Sequence, residues 1–261
     1  MVNKLQLENL INEAKDIKVL YVEDDYEVRL NIAKLLETIF PTVILTENGQ
    51  EALDIFKEDP TIDLIITDIN MPVMNGISFI KEARKINFSI PSIIITAQND
   101  RELINDAIIA GIDGFILKPL ELDQLYNALL NVINKCNLIK ENDKNIAILN
   151  QYKDITNKSS IISKTDPTGM ITYVNDNFCE ISGYSEIELV GRPHNIVRHP
   201  DNPKELFASL WKTIKKDKKP WTGIIKNLTK DGKSYFVKST IKPIFDNRGE
   251  IVEYMALRDD I

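Results

Sequence analysis

"DLIITDIN", residues 63–70, runs apolar through Leu64, Ile65 and Ile66 and then ends on a carboxylate, Asp68. Four similar runs surround it: "KVLYVE" (18–23), "TVILT" (42–46), "SIIIT" (92–96) and "GFILK" (114–118). The stretches between them have helical character. Val28, Ile32, Leu35 and Ile39 recur at helical spacing, 76–85 has the same pattern, and 100–110 is stopped by Gly111. The pattern is β-α repeated five times. Strands apolar on both faces and joined by crossover helices predict a parallel sheet covered on each side.

Ligands of such sheets gather at the carboxyl ends of the strands. Glu23 and Asp24 end the first run, Asp68 the third, Thr96 the fourth and Lys118 the fifth, so all five should meet on one rim. Three carboxylates about 4 Å apart repel by several kcal/mol per pair at an effective dielectric of about 20. A cation joining them removes that cost. An oxygen-only ligand set favours a hard ion, Mg²⁺ or a similar metal. With Lys118 as compensating charge and Thr96 as a hydroxyl, the site is suited to take a phosphoryl group on a carboxylate. A lone Asp at a strand end would instead be read as a turn former or helix cap.

On "VEDD" (22–25), "DINMPVMNG" (68–76), "ITA" (95–97) and "LKPL" (117–120), residues 17–135 resemble the receiver domain of two-component response regulators. The resemblance implies a flavodoxin-like fold with Asp68 as phosphoacceptor. It also implies Mg²⁺ held by Glu23, Asp24, Asp68 and the backbone carbonyl of Asn70, with Thr96 and Lys118 on the phosphoryl oxygens. Lys118-Pro119 matches the family's cis peptide. Phe115 stands at the aromatic switch position, or is a core aromatic; without a hydroxyl, any inward rotation would be driven by packing.

From Leu122 a helix is expected through Leu125, Leu129, Val132, Cys136 and Ile139, with Ile146 continuing the spacing. Either it covers the sheet over 121–135, or it extends to about 155 as a dimeric connector. A polar linker follows, then two strands around a Pro-Thr-Gly turn in "SIISKTDPTGMITYVN". A helix capped by Asn175 or Asp176 and ended by Gly183 comes next, then a helical stretch at 204–215. Antiparallel-type strands at 221–229, 234–245 and 251–258 complete the chain. On "VNDNFCEISGYSEIELVGRP" (174–193), "WTGIIKN" (221–227) and 231–261, this α+β half resembles a PAS sensor domain.

Both histidines, His194 and His199, lie in "RPHNIVRHPDNP" (192–203). Their spacing of five does not suit a helical metal site. The stretch, with Trp211 and "PWTGIIKN", is similar to the FAD-binding PAS domain of bacterial aerotaxis receptors. On that resemblance Trp211 and Trp221 wall a flavin, Asn227 pairs with its polar edge, and Arg198 and His199 meet phosphates. Asn175 or Asn195 completes the polar contacts, and Asp201 fixes Arg198. Alternatively Trp221 is core, Asn175 a cap and the His199 segment a hydrogen-bonded turn, with another ligand or none in the pocket.

The chain has 261 residues, 43% hydrophobic and 27% charged, room for two modest domains. Residues 1–156 hold 15 Lys/Arg against 25 Asp/Glu, a net of −10. Residues 157–261 hold 17 against 14, a net of +3, and the sum is −7. This balance argues against nucleic-acid binding. There is no membrane-length apolar run and no signal peptide, so a cytoplasmic protein is expected. Cys136 and Cys179 form no CxxC and are read as structural.

The organisation expected is an N-terminal extension (1–16), a receiver (17–135), a helical linker (136–157) and a PAS domain (158–261). No kinase core or DNA-binding motif is evident. The function expected is two-component signalling, with a histidine kinase as phosphodonor and the receiver coupled through the helix to a PAS domain responsive to redox state or oxygen. The protein would be a phosphoacceptor and sensor rather than an enzyme, apart from receiver catalysis of its own phosphorylation and dephosphorylation. A homodimer through the linker helix and PAS domain is a further expectation. The alternatives are an interaction scaffold, or a regulatory fragment of a kinase or diguanylate cyclase.

Overall fold

The computed structural model describes residues 3–97 and 101–261. They form two compact units, Met1–Asn145 and Ile146–Ile261. The division falls inside one helix.

The first unit holds β1 (Lys18–Val22), α2 (Tyr26–Leu36), β2 (Thr42–Thr46), α3 (Gly49–Glu58), β3 (Leu64–Asp68), α4 (Gly76–Ile86), β4 (Ser92–Ala97), α5 (Arg101–Ile109) and β5 (Gly114–Lys118). The strands pair in parallel in the order β2-β1-β3-β4-β5. This is the parallel sheet that the alternation predicts, in the flavodoxin-like form that the resemblance implies. All five residues of β3 are buried, as a central strand covered on both faces requires. Residue 100, where the sequence starts the fifth helix, lies outside the described residues.

One helix lies before the first strand, where no secondary structure is expected from the sequence. α1 (Lys4–Ala14) starts with a capping box, Asn3 and Gln6 bonding each other's backbone N–H at 2.9 Å. It buries Leu10 and Ala14 in the core formed with Ile17, Leu36, Leu129 and Ile133.

α6 runs without a break from Leu122 to Ser159. Leu125, Leu129, Val132, Ile133 and Cys136 are buried against the parallel sheet. Beyond them Ile148, Leu149, Tyr152 and Ile155 are exposed.

The second unit holds β6 (Ile161–Thr165), β7 (Ile171–Val174), α7 (Asp176–Ser182), α8 (Glu186–Leu189), α9 (Lys204–Trp211), β8 (Trp221–Leu228), β9 (Ser234–Phe245) and β10 (Ile251–Asp260). A 3₁₀ turn covers His194–Val197, and a π turn at Lys212–Lys216 prolongs α9. The sheet is antiparallel, in the order β7-β6-β10-β9-β8. The helices pack on its apolar face around Phe178, Leu189, Val197, Leu210, Ile214 and Val237. Gly183 ends α7 at φ +75°, a conformation glycine adopts without steric cost. Among the described residues no helix is long and apolar enough to cross a membrane.

Candidate functional site

Strand register sets the rim of the parallel sheet. Val22 is level with Thr67, Asp68 with Ile95 and Thr96 with Leu117, so the residues ending β1, β3, β4 and β5 converge. Glu23 follows β1 and is buried, Asp24 is exposed, and Asp68 sits almost buried at the end of β3. Ligand oxygens of these three carboxylates lie within 4.8 Å of one another, the separation at which one cation can bridge them. No other such group of acidic, histidine or cysteine side chains occurs among the described residues.

The Lys118 ammonium, at the end of β5, donates to Asp68 Oδ2 at 2.7 Å and to Glu23 Oε2 at 3.0 Å. It is thus the positive charge shared between two of the carboxylates. The backbone N–H of Ile69 donates to Asp68 Oδ1 at 2.7 Å, and Tyr21 donates its hydroxyl to Glu23 at 3.3 Å. Thr96 is fully buried on β4.

Electrostatics follow from this crowding. Burial, and next the charge of Asp68, push the Glu23 carboxyl above the usual carboxylate range, against the opposing pull of Lys118. Burial and the neighbouring Glu23 raise the Tyr21 phenol. For Lys118 burial acts downward, but its bonds and charge contacts with Asp68 and Glu23 outweigh it and the ammonium is held above its ordinary value.

The loop after Asp68 is fixed by close approach. A Cβ on Gly76 would lie 2.0 Å from the Asp68 carbonyl oxygen, so only glycine lets α4 start there. Asn75 caps that helix by accepting from Ser78 N–H at 2.8 Å. Lys118-Pro119 is cis. Phe115 is 47% exposed on β5, so its reading as a core aromatic is not met.

In the antiparallel unit a cavity of about 90 Å³ lies between sheet and helices. Leu210, Ile214, Ile225 and Ile241 are among its apolar walls. Of the seven residues predicted to meet a flavin, Arg198, Trp211 and Asn227 line it. Trp211 is 37% exposed and stands edge-on to Tyr254, with ring centroids 5.7 Å apart. The Asn227 NH₂ donates to the carbonyls of Lys226 at 3.2 Å and Val197 at 3.3 Å in the amide orientation that satisfies both ends. Arg198 stacks on the Phe207 ring, 3.7 Å from its centroid.

The other four are not brought to the cavity. Asn175 caps α7, accepts from Ile162 N–H at 2.8 Å and donates to the carbonyls of Asn157 and Ser160, which ties the end of α6 to the sheet. His199 accepts the Asp201 N–H at 3.1 Å within a turn that Asn202 closes by donating to Lys226 O at 2.7 Å. Asn195 is exposed on the 3₁₀ turn, and Trp221 is 7% exposed in the core. Asp201 pairs with Lys226 at 2.7 Å instead of fixing Arg198.

The model of the response regulator receiver domain family matches residues 19–130, and that of the PAS fold matches 171–258. The chemotaxis protein CheY of Bacillus subtilis is 34% identical over 118 residues, which is 45% of this chain and 98% of that protein. The chain belongs to the response-regulator receiver family, joined to a PAS domain. Its PAS half is 42% identical over 111 residues to the aerotaxis receptor of Escherichia coli, covering 42% of this chain but only 22% of that receptor. A solved response regulator receiver domain protein from Clostridium thermocellum is 31% identical, with a TM-score of 0.45, covering 47% of this chain and 98% of that one. Register and contacts bring Glu23, Asp24, Asp68 and Lys118 together at the rim, with Thr96 buried near the end of β4, whereas three of the seven residues predicted for the PAS ligand line its cavity.

Proposed function

We propose that this chain is a signalling protein of a two-component system whose receiver accepts a phosphoryl group on Asp68 from a partner histidine kinase. The arrangement that carries the reading is Lys118 shared between Asp68 and Glu23, beside a carboxylate trio that one cation can span. Glu23, Asp24 and Asp68, with the Asn70 carbonyl, would hold Mg²⁺. The ion supplies charge neutralisation around the transferring phosphoryl group. An Asp68 carboxylate oxygen forms the bond to phosphorus while the donor's P–N bond breaks. The electron pair leaves with the donor imidazole, which takes a proton from solvent. Lys118 and Thr96 then hold the phosphoryl oxygens, and Lys118 is drawn from Glu23 toward the new charge. Phe115, exposed on β5 three residues before Lys118, is the side chain placed to respond.

The test is labelling by a small phosphodonor with and without EDTA, in wild type and Glu23→Gln. Loss of labelling in both EDTA and Glu23→Gln is expected. Undiminished labelling in either would refute the metal-assisted reading.

For the PAS domain we propose a flavin ligand, FAD in first place, held by Trp211, Asn227 and Arg198. The likeness to the aerotaxis receptor supports it, as do the apolar and aromatic walls and the polar side chains among the cavity lining. A bound flavin would supply redox sensitivity. The enclosed volume, about 90 Å³, is below the roughly 300–1,000 Å³ of small-molecule pockets, so loading must widen the cavity. Trp211 is the wall with solvent behind it. Protein incubated with FAD and then desalted should retain flavin absorbance; a colourless protein would refute this part.

A second reading, self-association, is favoured by Ile148, Tyr152 and Ile155, exposed at four- and three-residue spacing on α6. Tyr152→Glu with Ile155→Glu should turn a dimer into a monomer in sedimentation. A wild type that is itself monomeric would remove this reading.

A further inference from the structure

Arg258, on β10, is 3% exposed and pairs with no carboxylate among the described residues. Alternation along β10 turns Tyr254, Ala256 and Arg258 to the same face, and all three line the PAS cavity. The guanidinium donates to Ser163 Oγ at 3.0 Å and to His194 Nε2 at 2.9 Å, and lies over the Phe178 ring, 5.4 Å from its centroid. Both polar partners are neutral. Burial, and next the charge of Arg258, hold the His194 imidazole down at about 3, while burial lowers the guanidinium only to about 10. At neutral pH the centre therefore carries a full positive charge with no carboxylate beside it among the described residues, only the Phe178 ring.

Charges this deep are normally paired, because an unpaired one is expensive. Internal hydrogen bonding does not explain its presence. Ser163 Oγ lies 3.0 Å from His194 Nε2, so hydroxyl and imidazole satisfy each other without the arginine. Two of the five guanidinium N–H groups are taken by these partners. The cation is expensive to the empty domain, is dispensable for its polar bookkeeping, and borders an otherwise largely apolar cavity.

We infer that Arg258, backed by Ser163 and His194, is the recognition head of the PAS cavity, donating hydrogen bonds to an electronegative oxygen edge of the bound ligand. On the flavin reading, on which the assignment to a particular ligand rests, that edge is the carbonyl-bearing end of the ring. A free small carboxylate presents the same chemistry. Arg198, at the other position with a cation, is left for the phosphates.

The experiment uses the full chain and Arg258→Met, which keeps the length of the side chain and removes the charge. Riboflavin, which has the ring and no phosphate, FAD and acetate are titrated by fluorescence or calorimetry, alongside thermal unfolding without ligand. Arg258→Met is expected to unfold at or above the wild-type temperature, because removing an unpaired buried charge relieves a cost. It is also expected to bind riboflavin about 10- to 100-fold more weakly, the worth of hydrogen bonds to a charged group. Arg258→Lys should recover part of that loss. Flavin bound equally well by wild type and Arg258→Met would overturn the proposal while leaving the flavin reading intact. If wild type takes no flavin, that reading fails, and acetate stabilising wild type but not Arg258→Met would still support the recognition head. Binding of neither probe by wild type, or an Arg258→Met domain destabilised before any ligand is added, would overturn it.

Discussion

Asp68→Asn separates a metal-binding carboxylate cluster from an ordinary structural ion pair, and the geometry gives the size of the effect. Asp68 and Glu23 lie no more than 4.8 Å apart, so at an effective dielectric of about 20 they repel by at least about 3.5 kcal/mol. Asp24 adds a smaller amount, since it is exposed and screened. Asp68 in turn attracts Lys118 at 2.7 Å by about 6 kcal/mol on the same scale. The asparagine removes both sets, which differ by at most about 2.5 kcal/mol before the Asp24 share is subtracted. It also keeps an oxygen for the Ile69 N–H. Without metal the receiver's stability should therefore change by no more than about 2 kcal/mol, whereas breaking an ordinary buried ion pair costs about 3–5 kcal/mol.

With Mg²⁺ the two proteins should part. Wild type gains RT ln(1 + [L]/Kd), about 2.7 kcal/mol at a hundredfold excess over Kd, and the variant gains much less. The assay is thermal or urea unfolding of the receiver transition in EDTA and in MgCl₂. A variant that loses 3 kcal/mol or more in EDTA, or that is stabilised by Mg²⁺ as strongly as wild type, would refute the electrostatic reasoning.

Further outcomes follow from the same geometry. Because the folded-state pKa of Glu23 is raised, the metal-free receiver keeps the associated stability below the ordinary glutamate range and loses it as pH climbs through the raised value. Mg²⁺ affinity should rise over that same window as Glu23 gives up its proton, measurable by calorimetry in buffers of different ionisation enthalpy; a flat affinity would contradict this. Leu10→Ala should cost the receiver about 2–5 kcal/mol in urea unfolding, as for a fully buried leucine, and a loss under 0.5 kcal/mol would mean that α1 is only an appendage. Trp221→Ala should cost the PAS domain about 3–5 kcal/mol with or without flavin. Trp211→Ala should cost far less stability but weaken flavin retention, and equal effects would contradict their different burial.

The receiver was legible because its chemistry coincides with its periodicity. Runs such as Leu64–Ile66 demand burial, and a parallel sheet sends every strand end to the same rim, so Glu23, Asp68 and Lys118 could be gathered without coordinates. The PAS cavity was less legible because Asn175, His199 and Trp221 are residue types that serve caps, turns and cores as readily as ligands, and here the backbone takes the first two and the core the third. Arg258 was missed because a lone arginine in "ALRDDI" reads as surface. Its signal was the alternation with Tyr254 and Ala256, which puts it on the inward face of β10. α1 was missed because residues 3–14 are largely polar. The capping box at Asn3 and Gln6 and the spacing of Leu7, Leu10 and Ala14 were the clues.

The most direct measurement is the position of the phosphoryl group itself. After incubation with Mg²⁺ and a small phosphodonor, the wild-type chain should carry one base-labile acyl phosphate that fragmentation maps to Asp68, and Asp68→Asn should carry none. Phosphate absent from wild type, or retained by the variant, would contradict the assignment of the rim as a phosphoacceptor site.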